Sequence, residues 1–155
     1  MAMPKPAVKN DKHSIERFYT EEIVIGLCGP VGVNLPEIAR KIGETLASYA
    51  YDTTTIKMSK FIEEEVGVAA GSGLERKREL INAGNKLRQR EERGSFLAEK
   101  AIETIFLHRL KEFPDENFKS RRHCFVIDSI KNQAEAKIFR EVYGNSFYLI
   151  GVLSS

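Results

Sequence analysis

The residues of this chain whose types and spacing could do chemistry are the glycines of Cys28-Gly-Pro-Val-Gly-Val-Asn34 and the aspartate that closes Cys124-Phe-Val-Ile-Asp128. Gly29, Pro30, Val31, Gly32, Val33 and Asn34 follow the apolar run 23–27 and lead into a helix start at Asn34-Leu35-Pro36. A glycine-punctuated turn between strand and helix lets backbone N–H groups approach an anion at the positive end of a helix dipole, and phosphate is the natural guest. Laid on the phosphate-loop pattern GxxxxGK(S/T), Gly29 takes the first position, while Asn34, Leu35 and Pro36 stand where glycine, lysine and a hydroxyl belong. The cradle is kept and its cation is missing. The same glycines would also serve a bare strand-to-helix turn that binds nothing. A dinucleotide site is disfavoured, because Gly26, Gly29 and Gly32 spell GxxGxxG and the second strand ends on Lys57 and Ser59 instead of an acid.

Asp128 ends a hydrophobic strand, the position from which a carboxylate can hold the coordination shell of magnesium on a nucleotide. A loop or helix-capping aspartate fits the same sequence. Ser59, just beyond the second strand, joins the candidate phosphate ligands. The basic residues Arg76, Lys77, Arg78, Lys86, Arg88, Arg90 and Arg93 are interleaved with glutamates and read mostly as a solvated helix face. Arg76 and Arg88 are the two set apart, since an arginine near a phosphate grips it bidentately. His13, His108 and His123 show no catalytic spacing and are assigned surface or core roles.

Alternating elements must position these groups. Residues 1–20 form an arm without periodicity, with a short helix expected near 14–19. The fold begins at Glu21. Ile23, Val24 and Ile25 are apolar in succession, as in a strand buried on both faces of a parallel sheet. Asn34 caps a helix that carries Pro36 and Glu37 in its first turn and the stripe Leu35, Ile38, Ile42, Leu46 and Tyr49. A second strand is expected over 53–57, a short helix over 60–66, a loop over 67–73 and a charged helix over 74–93 anchored by Leu74, Ile81 and Leu87. Gly94 ends that helix and Ser95 caps the next. Residues of about 60–118 thus read as a helical insertion. A strand at 124–127, a helix at 133–143 stopped by Gly144 and a strand at 147–152 follow. Strands alternating with helices predict an α/β fold with a parallel sheet and helices on both faces.

With 155 residues, 42% of them hydrophobic, one domain with a real core is expected over 21–155. A net charge of +2 is too small an excess for a general nucleic-acid or membrane surface. Cys28 and Cys124 form no CxxC pair and read as buried thiols of a reducing compartment. No run approaches the roughly 18 apolar residues of a membrane span, so a soluble, cytoplasmic protein is expected.

Taken together, these residues resemble the adenylate-kinase-like and dephospho-coenzyme-A-kinase-like branch of P-loop proteins. IVIGLCGPVG is similar to that branch's first strand and loop, INAGNKLRQREERGSFLAEKAIETI to its nucleotide-side helices, and FVIDSIKNQAEAKIFREVYGNSFYLIGV to its later strand, helix and strand. The likeness covers most of 21–153. More narrowly, the chain resembles the N-terminal domain of bacterial anti-phage deoxycytidylate deaminases, which join a kinase-like domain to a zinc deaminase that depletes deoxycytidine nucleotides during infection. The resemblance implies a P-loop NTPase-like three-layer α/β/α fold, incomplete at its C-terminal end, and a polypeptide continuing past Ser155. It implies a nucleotide with magnesium at Asp128. Zinc belongs to the absent deaminase domain, whose HxE and PCxxC signature is nowhere in these residues.

Leu35 and Pro36 remove the groups that neutralise a transferring phosphoryl, so phosphoryl transfer is not expected. The expectation is a degenerate nucleotide-binding or regulatory domain of a cytidine-nucleotide deaminase. An active nucleoside-monophosphate or dephospho-coenzyme-A-type kinase and a non-catalytic interaction or oligomerisation module stay open as alternatives. The expected partners are a nucleotide, a second copy or an attached deaminase domain, and an inhibitory RNA or protein, with no membrane.

Overall fold

The structure, a computed structural model, describes residues 20–67, 73–114 and 119–153. Apart from Thr20, the expected N-terminal arm and its helix lie outside the described residues, as does most of the loop at 67–73. The first strand, β1 (Ile23–Cys28), buries both faces as its unbroken apolar run predicts. Val24 points into a core with Phe125, Ile127, Phe139 and Phe147, while Ile25 and Leu27 point into a second core with Leu35, Ala39, Cys124 and Val126. Helix α1 (Leu35–Ala47) starts where the Asn34 Oδ1 accepts the Glu37 N–H at 3.2 Å, with Pro36 in the first turn. Leu35, Ile38, Ile42 and Leu46 then cover one face of the sheet. The stripe stops there. The helix ends at Ala47, Ala50 turns the chain with φ 60°, and Tyr49 is left 65% exposed against expectation.

Strand β2 (Asp52–Lys57) runs directly into α2 (Met58–Val66), which ends at Gly67 with φ 66°. Next come α3 (Leu74–Arg90) and α4 (Phe96–Glu112). Of the three anchors expected on α3, only Leu87 is buried; Leu74 and Ile81 are exposed. Small residues do the seating instead. Ala83 and Gly84 are buried, and a Cβ on Gly84 would come within 2.9 Å of Ile62 on α2. The α3–α4 turn uses Glu92 at φ 52° rather than Gly94, and Ser95 makes no capping bond but donates its hydroxyl to Glu99 at 2.8 Å. Leu97, Ala98, Ala101 and Ile105 of α4 have no exposed surface.

The chain then forms β3 (His123–Asp128), α5 (Gln133–Tyr143), a 3₁₀ turn (Gly144–Ser146) and β4 (Phe147–Gly151). The four strands are all parallel in the order β2-β3-β1-β4. Helix α1 packs on one face; α4 and α5, with α2 and α3 against them, pack on the other. The result is an α/β fold with a four-stranded parallel sheet. Its β4 edge keeps Tyr148 54%, Leu149 37% and Ile150 38% exposed. No helix among the described residues is long and apolar enough to cross a membrane.

Candidate functional site

All four strands point the same way, so their carboxyl ends form one rim, where open α/β sheets bind ligands. The register puts Lys57 opposite Asp128 and Asp128 opposite Leu27. In-register neighbours share a face. Leu27 belongs to the α1 side, so Lys57 and Asp128 also stand on that side, next to the loop 29–34 and the start of α1. Asp128 is part-buried. Burial holds its carboxyl above the ordinary range, and the ammonium groups of Lys57 and Lys131 pull it back only in part.

The loop itself is more self-contained than its sequence suggested. The Val33 N–H donates to the Pro30 carbonyl, the Leu35 N–H to Val33 at 3.0 Å and the Glu37 N–H to the Asn34 side chain, while Pro36 has no N–H to offer. Among the described residues, Gly29, Val31, Gly32 and Asn34 are left as the loop N–H donors without an internal acceptor. Both glycines have structural duties. A Cβ on Gly29 would meet the Val152 carbonyl at 2.9 Å, and Gly32 holds φ 106° in open space. Pro30, Val31, Gly32 and Asn34 are exposed and Val33 tucks into the α1 core.

The two arginines singled out in the sequence are committed elsewhere. Arg88 donates from Nε at 2.9 Å and from Nη2 at 2.5 Å to Oε1 of Glu135, whose side chain is 0% exposed. The other oxygen of Glu135 accepts the Lys131 N–H at 2.8 Å and the Asn132 N–H at 3.4 Å, and the Asn132 side chain accepts the Glu135 N–H at 2.9 Å. That reciprocal pair is a capping box at the start of α5. Arg88 therefore neutralises a buried carboxylate that pins the β3–α5 connection. Arg76 reaches Glu63 at 2.6 Å and ties α3 to α2. Neither guanidinium joins the glycine loop. Ser59 sits in the first turn of α2, two residues past Lys57.

Sequence reasoning passed over Lys57 and Lys131 as ligands. Both are exposed, and neither has an ion pair within 4 Å among the described residues. The connection bearing Lys131 is held firmly: the Ile130 N–H donates to Leu27 at 2.8 Å, and Ile130, 4% exposed, fills the space above Gly26. A basic residue three positions after Asp128 was the available signal.

Magnesium fits this rim poorly. It takes near-octahedral oxygen ligands, commonly one or two carboxylates with phosphates and water. Here Pro36 stands at the hydroxyl position and Asp128 is flanked by two cations. The cysteines are free; burial pushes the Cys124 thiol up to about 12, which leaves it protonated and unreactive.

At the opposite, amino end of the sheet a second polar cluster forms. Glu22, 8% exposed, pairs with Arg109 and faces Arg121 at 3.8 Å. Arg121 also contacts His108 Nδ1 at 3.1 Å, and the ring of His108 lies 5.0 Å from that of His123, whose Nε2 meets the Thr54 hydroxyl at 2.9 Å. Two histidines that looked scattered in sequence are thus brought together, beside Phe125, in a structural role. His13 lies outside the described residues. Comparison of the chain with protein-family models returns no match, and comparison with curated proteins returns none.

Proposed function

We propose that this domain binds the phosphate of a nucleotide at the carboxyl rim of its sheet without transferring it, and acts as a sensing or regulatory domain for a cytidine-nucleotide deaminase of the anti-phage type. One observation carries the reading: a P-loop-like strand, loop and helix stands beside Asp128 on a parallel sheet, yet helix α1 opens on Leu35 and Pro36, with neither ammonium nor hydroxyl for a transferring phosphoryl. The parallel topology and the ligand-facing rim support descent from a P-loop kinase-like fold. The deaminase connection rests on the resemblance of the sequence. Calorimetry with deoxynucleoside mono- and triphosphates tests the proposal: saturable binding without ATP-dependent turnover is expected, and silence toward all of them would overturn it. Turnover that disappears in Asp128→Ala would instead establish a kinase.

A second reading, an interaction or oligomerisation module, is favoured by the apolar β4 edge. Sedimentation of wild type against Ile150→Lys checks it. A mass that falls in the variant supports association through that edge.

A further inference from the structure

We infer that the outer face of helix α4 is a docking surface for a second copy of this chain, the two α4 helices packing antiparallel about a two-fold axis through Leu107. This is independent of the nucleotide reading and uses a different surface from the β4 edge. A helix laid on a sheet buries one side and turns charge to water on the other. Helix α1 does so, with Arg40, Lys41 and Glu44 exposed on its outward side. Helix α4 does not. Leu97, Ala98, Ala101 and Ile105 fill its inner side with no exposed surface, yet Phe106 and Leu107 are 49% and 56% exposed, and Leu110 is half-buried beside them. Leu110 is spaced three and four residues from the other two, so the three are neighbours on the helix surface and form one apolar patch.

The charges around the patch select its occupant. Glu103, Leu107 and Lys111 follow one another at four-residue intervals, so they share a line along the helix, and all three are exposed. In an antiparallel pair, residues equally far from the axis meet. Glu103 and Lys111 stand about 6 Å to either side of Leu107, so the Glu103 of each copy faces the Lys111 of the other. Leu107 meets itself at the axis, flanked by Phe106 and Leu110. A closed two-fold interface needs this self-complementarity, because one patch serves as both partners. Parallel packing would set Glu103 against Glu103 and Lys111 against Lys111, so charge also fixes the orientation. Glu103 already touches Lys100 at 3.5 Å, an exposed pair of little strength that leaves its carboxylate able to accept a second cation. One helix face is small beside the roughly 800 Å² per partner of a standard interface, so the dimer should exchange with monomer in the micromolar range.

The test is sedimentation velocity of the whole chain over a series of concentrations, on wild type, Glu103→Lys, Lys111→Glu, the double variant and Leu107→Asn, with Ile150→Lys as the probe of the β4 edge. Wild type should dimerise as concentration rises. Each single charge reversal sets like charges together at two symmetric contacts and should weaken the dimer about tenfold. Leu107→Asn should weaken it about a hundredfold, since the axis uses that side chain twice. The double reversal should restore wild-type association, and the two single variants mixed in equal amounts should pair with each other more tightly than either pairs with itself. All the substituted positions are exposed, and circular dichroism confirms that the variants keep the fold. Wild type that stays monomeric throughout overturns the inference. So does a dimer that the α4 variants leave unchanged and Ile150→Lys breaks, which places the interface on the β4 edge. Single variants that weaken the dimer but do not recover it on mixing overturn it as well, because Glu103 and Lys111 would then not face each other.

Discussion

Replacing Arg88 with methionine should destabilise the protein severely, and the size of the loss follows from what Glu135 would retain. In the native state its buried carboxylate has two guanidinium donors on Oε1 and two backbone donors on Oε2. Arg88→Met keeps the aliphatic volume and removes both donors from Oε1, so a charge with no exposed surface stands half-satisfied. Breaking a buried pair from one side costs about 3–5 kcal/mol. A domain holds only about 5–15 kcal/mol in total, so the variant should lose a large part of its stability. Glu135→Gln should cost less, about 1–3 kcal/mol, because Arg88 is 13% exposed and can turn toward water. Arg88→Met with Glu135→Met removes the stranded charge and should recover part of the loss, with the capping box still missing. Urea unfolding followed by far-ultraviolet circular dichroism reads all three. A cost below about 1 kcal/mol for Arg88→Met would refute the structural assignment. If that variant folded normally and lost nucleotide affinity, Arg88 would be a ligand residue after all.

Further expectations concern pH and the rim. His123 is held below its ordinary value, first by burial and then by Arg121 and His108, with Glu22 and Asp52 opposing. The unfolded chain therefore binds the proton more readily, so stability is fullest above the unfolded value of about 6.5 and falls as pH drops below it. Unfolding titrations of His123→Gln should show a shallower decline; equal slopes would dismiss the histidine. Gly29→Ala should cost about 1–3 kcal/mol by driving a Cβ toward the Val152 carbonyl, read as a lowered urea midpoint, and an unchanged midpoint would mean that the end of β4 is free to move. Asp128→Asn should raise the melting temperature at pH 7, since burial favours the neutral carboxyl and ionising it works against folding; an unchanged or lower melting temperature would deny that strain.

The local elements were legible because their signals are local. Asn34 caps α1 and Gly144 ends α5 as their types require, and the unbroken apolar runs of β1 and β3 are the doubly buried strands of the sheet. What failed was partnership across distance. Arg88 looks like a free cation until Glu135, far along the chain, is seen beneath it, and a buried glutamate at the start of α5 carries no mark in sequence. Gly29 read as a ligand contact; its closest neighbour is the backbone after β4. Tyr49 continued a helical stripe by spacing alone, and the helix had already ended. Lys57 argued against a ribose site, but its pairing with Asp128 depends on a register that only the assembled sheet sets.

The strand order has a kinetic corollary. No strand lies beside its neighbour in sequence except across a helix-filled excursion: Asp52 pairs with His123, Ile23 with Cys124 and Val24 with Phe147. The central partner β3 arrives late, so β1 and β2 cannot form a ladder when they emerge from a ribosome and must wait, with only α1 to shield them. Parallel pairings of such long range put the chain among slow folders, where loop closure is charged before any ladder rewards it. The helices α3 and α4, with turns of their own, are the parts free to form early, and Leu97 and Ile105 then offer the apolar surface on which β3 settles.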